Sequence, residues 1–119
     1  MSRDPQRLRD YLAHIAEAIE RIQRYTVDMD AHEFRNSQIV QDAVIRNLEV
    51  IGEASRNIER DHQEFARAHP ELPLSVAYDM RNSLAHGYFQ IDLDIVWRTI
   101  LSDLPHLLAL VRTLRLELG

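Results

Sequence analysis

The chain has 119 residues, 45% of them hydrophobic and 28% charged, with no cysteine and a net charge of −5. That is one domain's length, residues 1–119, with apolar material for a single core. It excludes disulfides, thiolate chemistry and cysteine-held zinc, and any coating of nucleic acid by bulk positive charge. No apolar run approaches the roughly 20 residues that cross a bilayer, and the first residues lack a signal peptide's apolar stretch. A cytoplasmic protein with no membrane contact is the expectation. Low-complexity tracts and internal repeats are absent.

Asp4-Pro5 reads as a helix start, with Asp as N-cap and Pro at the first helical position. Leu8, Leu12, Ile15, Ile19 and Ile22 then recur at steps of four and three, predicting one apolar stripe of a long helix to about Tyr25. Asp28, Asp30 and Asn36-Ser37 mark a polar connection holding a short helical turn at Ala31–Arg35. A second long helix is expected over Ser37–Arg60, with Val40, Val44, Leu48, Ile51 and Ile58 as its stripe, widened by Ala43, Val50 and Ala54. Gly52 in its middle costs roughly 1 kcal/mol relative to Ala, which points to close approach of another backbone. Residues 61–74 are the most irregular stretch, since His69-Pro70 and Leu72-Pro73 force extended or turn backbone before each proline. A short helix from Pro73 or Ser75 to Ala85 or His86 follows, with Gly87 placed as its C′ residue. Asp92 is set to cap a last helix bearing Leu93, Val96, Trp97, Ile100, Leu101 and Leu104. Pro105 should kink or break it before the pattern resumes at Leu107, Leu108, Val111, Leu114 and Leu118. No segment has a period of two, so the fold class is all-α, an up-and-down four- to five-helix bundle.

Arg81 and His86 are the candidates for chemistry. Five residues on a helix separate them by about 140° and roughly 7–8 Å along the axis, so they do not stack as an i,i+4 pair. If they act together, they do so around a substrate or across a subunit boundary. A histidine on the last helical turn has its protonated form favoured by the macrodipole, which poises it for proton transfer near neutral pH. The pair suits RNA cleavage by the RNA's own 2′-hydroxyl, with His moving protons and Arg gripping the phosphate through two parallel hydrogen bonds. Asn82 could orient substrate or His86, and Tyr88 could bond phosphate or stack on a base. On spacing alone, a surface Arg, a helix-end His and a Tyr88-Phe89 loop packed on the core fit as well. All 14 basic residues are arginine. Genome base composition also produces such a bias, but Arg holds phosphate as a rigid fork where Lys is a point charge. A few arginines lining one groove would let an acidic chain bind RNA. His14, His32, His62, His69 and His106 show no metal-ligand spacing and read as surface or structural residues. No metal site is expected. Glu49 and Glu53, one turn apart, could pair with Arg46 or Arg56, bind a cation or be solvated, with ion pairing the expectation.

Several stretches together resemble one family. Gln41–Ser55 on the second helix, Met80-Arg-Asn-Ser-Leu-Ala-His-Gly-Tyr-Phe89, Ile95-Val-Trp-Arg-Thr-Ile100 and Asp103-Leu-Pro105 are similar to HepT proteins. These are HEPN-domain toxins paired with a minimal nucleotidyltransferase antitoxin. Tyr11–Ile22 also fits the family's first helix, so the resemblance spans nearly the whole chain. It implies a HEPN-type bundle that forms homodimers, with the Arg-x4-His-x-Tyr motifs of two subunits facing one cleft. It further implies a metal-independent RNA endonuclease needing no cofactor, with Arg81 and His86 catalytic and Asn82 assisting. Tyr88 stands where the antitoxin transfers AMP from ATP and silences the toxin. Arg46, Asn47, Glu49 and Glu53 match the family's polar second-helix pattern and would support the cleft or the dimer. A non-catalytic module that presents substrate or RNA to the nucleotidyltransferase is the alternative. One departure is Pro73-Leu74 where the family commonly has Pro-Trp, a difference of packing.

Overall fold

The computed structural model describes residues 4–85 and 92–119; the side chains of Tyr78 and of residues 81–85 lie outside that description, as do His86, Gly87 and Tyr88. Among the described residues every regular element is helical: α1 (Pro5–Thr26), α2 (Ala31–Arg35), α3 (Gln38–Asp61), α4 (Gln63–Ala68), α5 (Leu74–Ala85), α6 (Leu93–Arg98) and α7 (Leu104–Leu118).

α1 starts where Asp4 accepts from the Gln6 N–H, with Pro5 as the first helical residue. Its predicted stripe is the centre of the molecule: Leu12, Ile15, Ile19 and Ile22 are all 0% exposed. α3 packs along one flank of α1 and α7 along the other, while α5 rests on α3. The α1–α7 pair is antiparallel, since Arg9 reaches Leu118 and Glu20 reaches Arg112. α1 and α3 are antiparallel too, because the Tyr11 ring meets the His62 ring at the far end of α3. On α3 the predicted Val44, Leu48, Ile51, Ala54 and Ile58 are buried, and so is Gly52.

α2 is closed by a capping box, with the Asp30 carboxylate on the Glu33 N–H and the Glu33 carboxylate on the Asp30 N–H. That arrangement satisfies two orphan donors of a one-turn helix. It presents Phe34, 0% exposed, to the bundle, where it lies 5.2 Å from the Trp97 ring. An ion pair from Arg35 to Asp94 at 2.9 Å ties α2 to α6.

Two expectations are corrected. The stretch 61–74 contains α4, which ends at His69 with non-helical backbone (φ −127°, ψ 64°); Pro70 excludes the helical region only for the residue before it, leaving the residues upstream free to coil. Leu101, expected on the buried stripe, is 60% exposed. The cause is a π-helical turn at Thr99–Asp103 that joins α6 to α7 without a break. The Leu104 N–H bonds the Thr99 carbonyl, five residues back, directly before Pro105, which has no N–H to give. The wider turn rotates the stripe, so Ile100 and Leu104 face inward and Leu101 faces out.

Phe34→Ala is expected to cost about 3–5 kcal/mol, the range for an aromatic truncated in a packed core. Urea unfolding followed by Trp97 fluorescence reads it. Asp92 accepts from the Asp94 and Ile95 N–H groups as N-cap of α6, and Asp92→Ala should cost only about 1 kcal/mol.

Candidate functional site

α5 carries Arg81 and Asn82 in its last full turn. His86 and Tyr88 follow beyond the described residues, so the predicted 140° separation stays an expectation.

The polar residues of α3 divide by helical phase. Arg46, Glu49 and Glu53, spaced three and four apart, share the outer face. They line a surface cleft of about 460 Å3 between α1 and α3, together with Tyr11, His14 and Asn57. Asn47, one residue on from Arg46, faces inward instead. It is 6% exposed, and its Nδ2 donates to the Ala43 carbonyl at 2.8 Å. The structure thus brings together three of the four predicted supporting residues and sets Asn47 apart as a buried one.

Tyr11, His14 and Asn57 were not singled out for the cleft from the sequence. Tyr11 stands edge-on to His14 at 6.4 Å and to His62 at 6.1 Å. The available signal was Tyr11 and His14 at i,i+3, just off the apolar stripe of α1. A fork below them braces the end of α3. Arg60 Nε and Nη2 donate to the two Asp61 carboxylate oxygens at 2.9 and 3.0 Å, and Nη2 also donates to Asn57 Oδ1 at 3.1 Å. The Asp61 carboxyl, 8% exposed, is held below the usual carboxylate range, chiefly by that hydrogen bond from Arg60. Asn57 therefore joins the fork to the cleft wall.

A second concavity, of about 370 Å3, runs beside α5. Its floor includes Leu48, Ile51, Met80 and Leu107, and Thr99 and Asp103 of the π turn lie on its wall. Among the described residues no group of three or more His, Asp or Glu side chains is placed to hold a metal ion.

The family model described as Ribonuclease HepT-like matches residues 15–114. The chain belongs to the HepT-like ribonuclease family. It is 46% identical over 99 residues to "Probable ribonuclease HepT" of Thermococcus cleftensis, covering 83% of this chain and 87% of that protein. It is 39% identical over 95 residues to a provisionally assigned RNase of Methanocaldococcus jannaschii, covering 80% of this chain and 84% of the relative. A provisionally assigned RNase of Caldanaerobacter subterraneus is 33% identical over 99 residues, covering 83% and 86%. No solved structure matches the chain. The HepT-like match takes in α3, α5 and parts of α1 and α7, so the α3 wall of the cleft and the Arg81 helix fall inside it, while Tyr11 and His14 lie just before it.

The depressed Asp61 value gives the Arg60 fork a pH signature. Its stabilisation is present above the ordinary aspartate value of about 3.9 and is lost as pH falls through the lower folded-state value. Arg60→Gln should lower the urea midpoint at neutral pH, with the deficit narrowing as pH falls below the ordinary aspartate value. A deficit undiminished in acid would show that Arg60 acts otherwise.

Proposed function

We propose that this HepT-like chain is the toxin of a toxin–antitoxin pair, a metal-independent RNA endonuclease working as a homodimer. One observation carries the reading: Arg81-x4-His86-x-Tyr88 lies inside the span that matches the HepT-like ribonuclease model, residues 15–114. The chemistry follows from the residue types. A His86 imidazole takes the proton of the RNA 2′-hydroxyl, whose oxygen attacks the adjacent phosphorus. A second imidazole, in imidazolium form, gives a proton to the departing 5′-oxygen. The products are a 2′,3′-cyclic phosphate and a 5′-hydroxyl, so atoms and protons balance. Arg81 holds the crowded phosphate oxygens through its fork, and Asn82 orients the imidazole or the substrate. Acid and base roles need two histidines, and two copies of the motif facing one cleft supply them. Arg46, Glu49 and Glu53 support that cleft from α3, and Asn47 supports the helix beneath it.

Tyr88 is the regulatory residue in this reading. Its phenolic oxygen attacks the α-phosphorus of ATP on a cognate minimal nucleotidyltransferase antitoxin. The phenolic proton is lost, pyrophosphate leaves, and the tyrosine carries AMP, placing a phosphodiester and a nucleoside at the mouth of the RNA cleft.

His86→Ala is expected to slow RNA cleavage by about 10²–10⁴-fold with folding intact, and a chelator should leave the parent rate unchanged. Cleavage by His86→Ala at the parent rate would overturn the mechanism. A chain that arrests no growth when expressed alone, yet binds the nucleotidyltransferase stably, would instead be the non-catalytic presenting module. Intact mass after incubation with partner and ATP should rise by one AMP, and Tyr88→Phe should abolish the gain.

A further inference from the structure

An acidic chain holds a phosphodiester backbone only where arginines locally outnumber carboxylates. One groove away from α5 meets that condition. Arg9 on α1 and Arg112 and Arg115 on α7 line a concavity of about 600 Å3, with Ala13 and Leu116 as apolar surface between them. These arginines, about a hundred positions apart in the chain, meet because α1 and α7 pair antiparallel. The carboxylate side chain in the lining, Asp10, already accepts from Gln6 Nε2 at 3.0 Å.

Two of the three forks are preset. Arg9 Nη2 donates to the Leu118 carbonyl at 3.0 Å, which fixes the guanidinium without neutralising it. Arg112 Nη2 meets Glu20 Oε2 at 2.9 Å, with both side chains well exposed. Such an exposed pair is weak and screened by salt, so a phosphate can displace Glu20. Arg115 makes no hydrogen bond or ion pair among the described residues. Leu116 is 83% exposed, an apolar surface on which a ribose or base face can rest.

We propose that this α1–α7 groove is a docking site for the phosphate backbone of RNA, separate from the cleavage motif. The choice of RNA among polyanions rests on the ribonuclease reading above. The separation rests on packing: Arg112 and Arg115 sit toward the C-terminal end of α7 beside α1, whereas α5 borders α7 near its start, at Leu104 and Leu107. Only an RNA long enough to run along α7 from the groove to α5 engages both places. The groove therefore selects for length and adds affinity, while Arg81 and His86 do the chemistry.

The test compares the parent with the Arg112→Gln/Arg115→Gln double variant, both positions being exposed and outside the core. Anisotropy titrations across a salt series use a labelled single-stranded RNA of about 20 nucleotides, longer than a single small binding site holds. Cleavage rates are read on the same RNA and on a tetranucleotide, and circular dichroism verifies the fold. The expected result is an affinity for the long RNA lower by about tenfold and a salt slope smaller by about 1.4, roughly 0.7 per phosphate contact removed from a single strand. Cleavage of the tetranucleotide should be unchanged. Equal affinity and slope in parent and variant would overturn the docking site. Equal loss on the tetranucleotide would also overturn it, because the arginines would then belong to the cleavage site. A parent that cleaves RNA with a groove that proves inert leaves the ribonuclease reading standing. A parent that binds long RNA through the groove without cutting it removes that reading and keeps the groove.

Discussion

The fold depends on one face of α1. Leu12, Ile15, Ile19 and Ile22 are wholly removed from solvent, and each fully buried aliphatic side chain contributes about 1.5–3 kcal/mol from burial alone. A stripe so completely covered needs partners on both flanks, and α3 and α7 supply them. Once those two are docked, the other placements follow. α5 has α3 to lie on, α2 and α6 close the upper end through Phe34 and Trp97, and two grooves open where outer helix faces diverge from α1.

Those grooves differ in charge although both border α1. The α1–α3 cleft mixes Arg46 with Glu49 and Glu53, so it suits recognition through particular hydrogen bonds rather than general attraction to phosphate. The α1–α7 groove gathers three arginines, with Asp10 bonded to Gln6 and Glu20 paired to Arg112 at its edge. A net charge of −5 averages over this difference. For an acidic chain that acts on a polyanion, the placement of arginines decides binding more than their number.

The π turn at Thr99–Asp103 shows how a local rule acquires a longer-range effect. Pro105 cannot donate a backbone hydrogen bond, and the turn before it widens to i→i−5 bonding. Thr99 Oγ1 donates to the Ile95 carbonyl at 2.9 Å on the same turn. α7 is thereby rephased, bringing Leu104, Leu107, Leu108, Val111 and Leu114 inward against the core. It also sets Thr99 and Asp103 on the wall of the concavity beside α5.

Much of this was legible in the residues. The stripes of α1 and α3, the Asp4-Pro5 and Asp92 caps and the helical turn at Ala31–Arg35 rest on periodicity and capping, which are local and need no partner to be read. The HepT-like family was legible as well, because Gln41–Ser55 and Met80–Phe89 are contiguous strings. What the residues could not show arises between elements far apart in the chain. No period on one helix reveals that Tyr11 and His14 share a cleft with Arg46, or that Arg9 meets Arg112 and Arg115. Leu101 was misassigned because the stripe was counted at one helical period through a turn that changes it. Asn47 entered with Arg46 through the family's polar second-helix pattern, which does not tell the buried face of a helix from its outer face. Local patterning by itself determined that this chain forms helices and which faces they bury. Only tertiary packing decided which polar faces meet across a groove, because that depends on the direction and register in which separate helices dock.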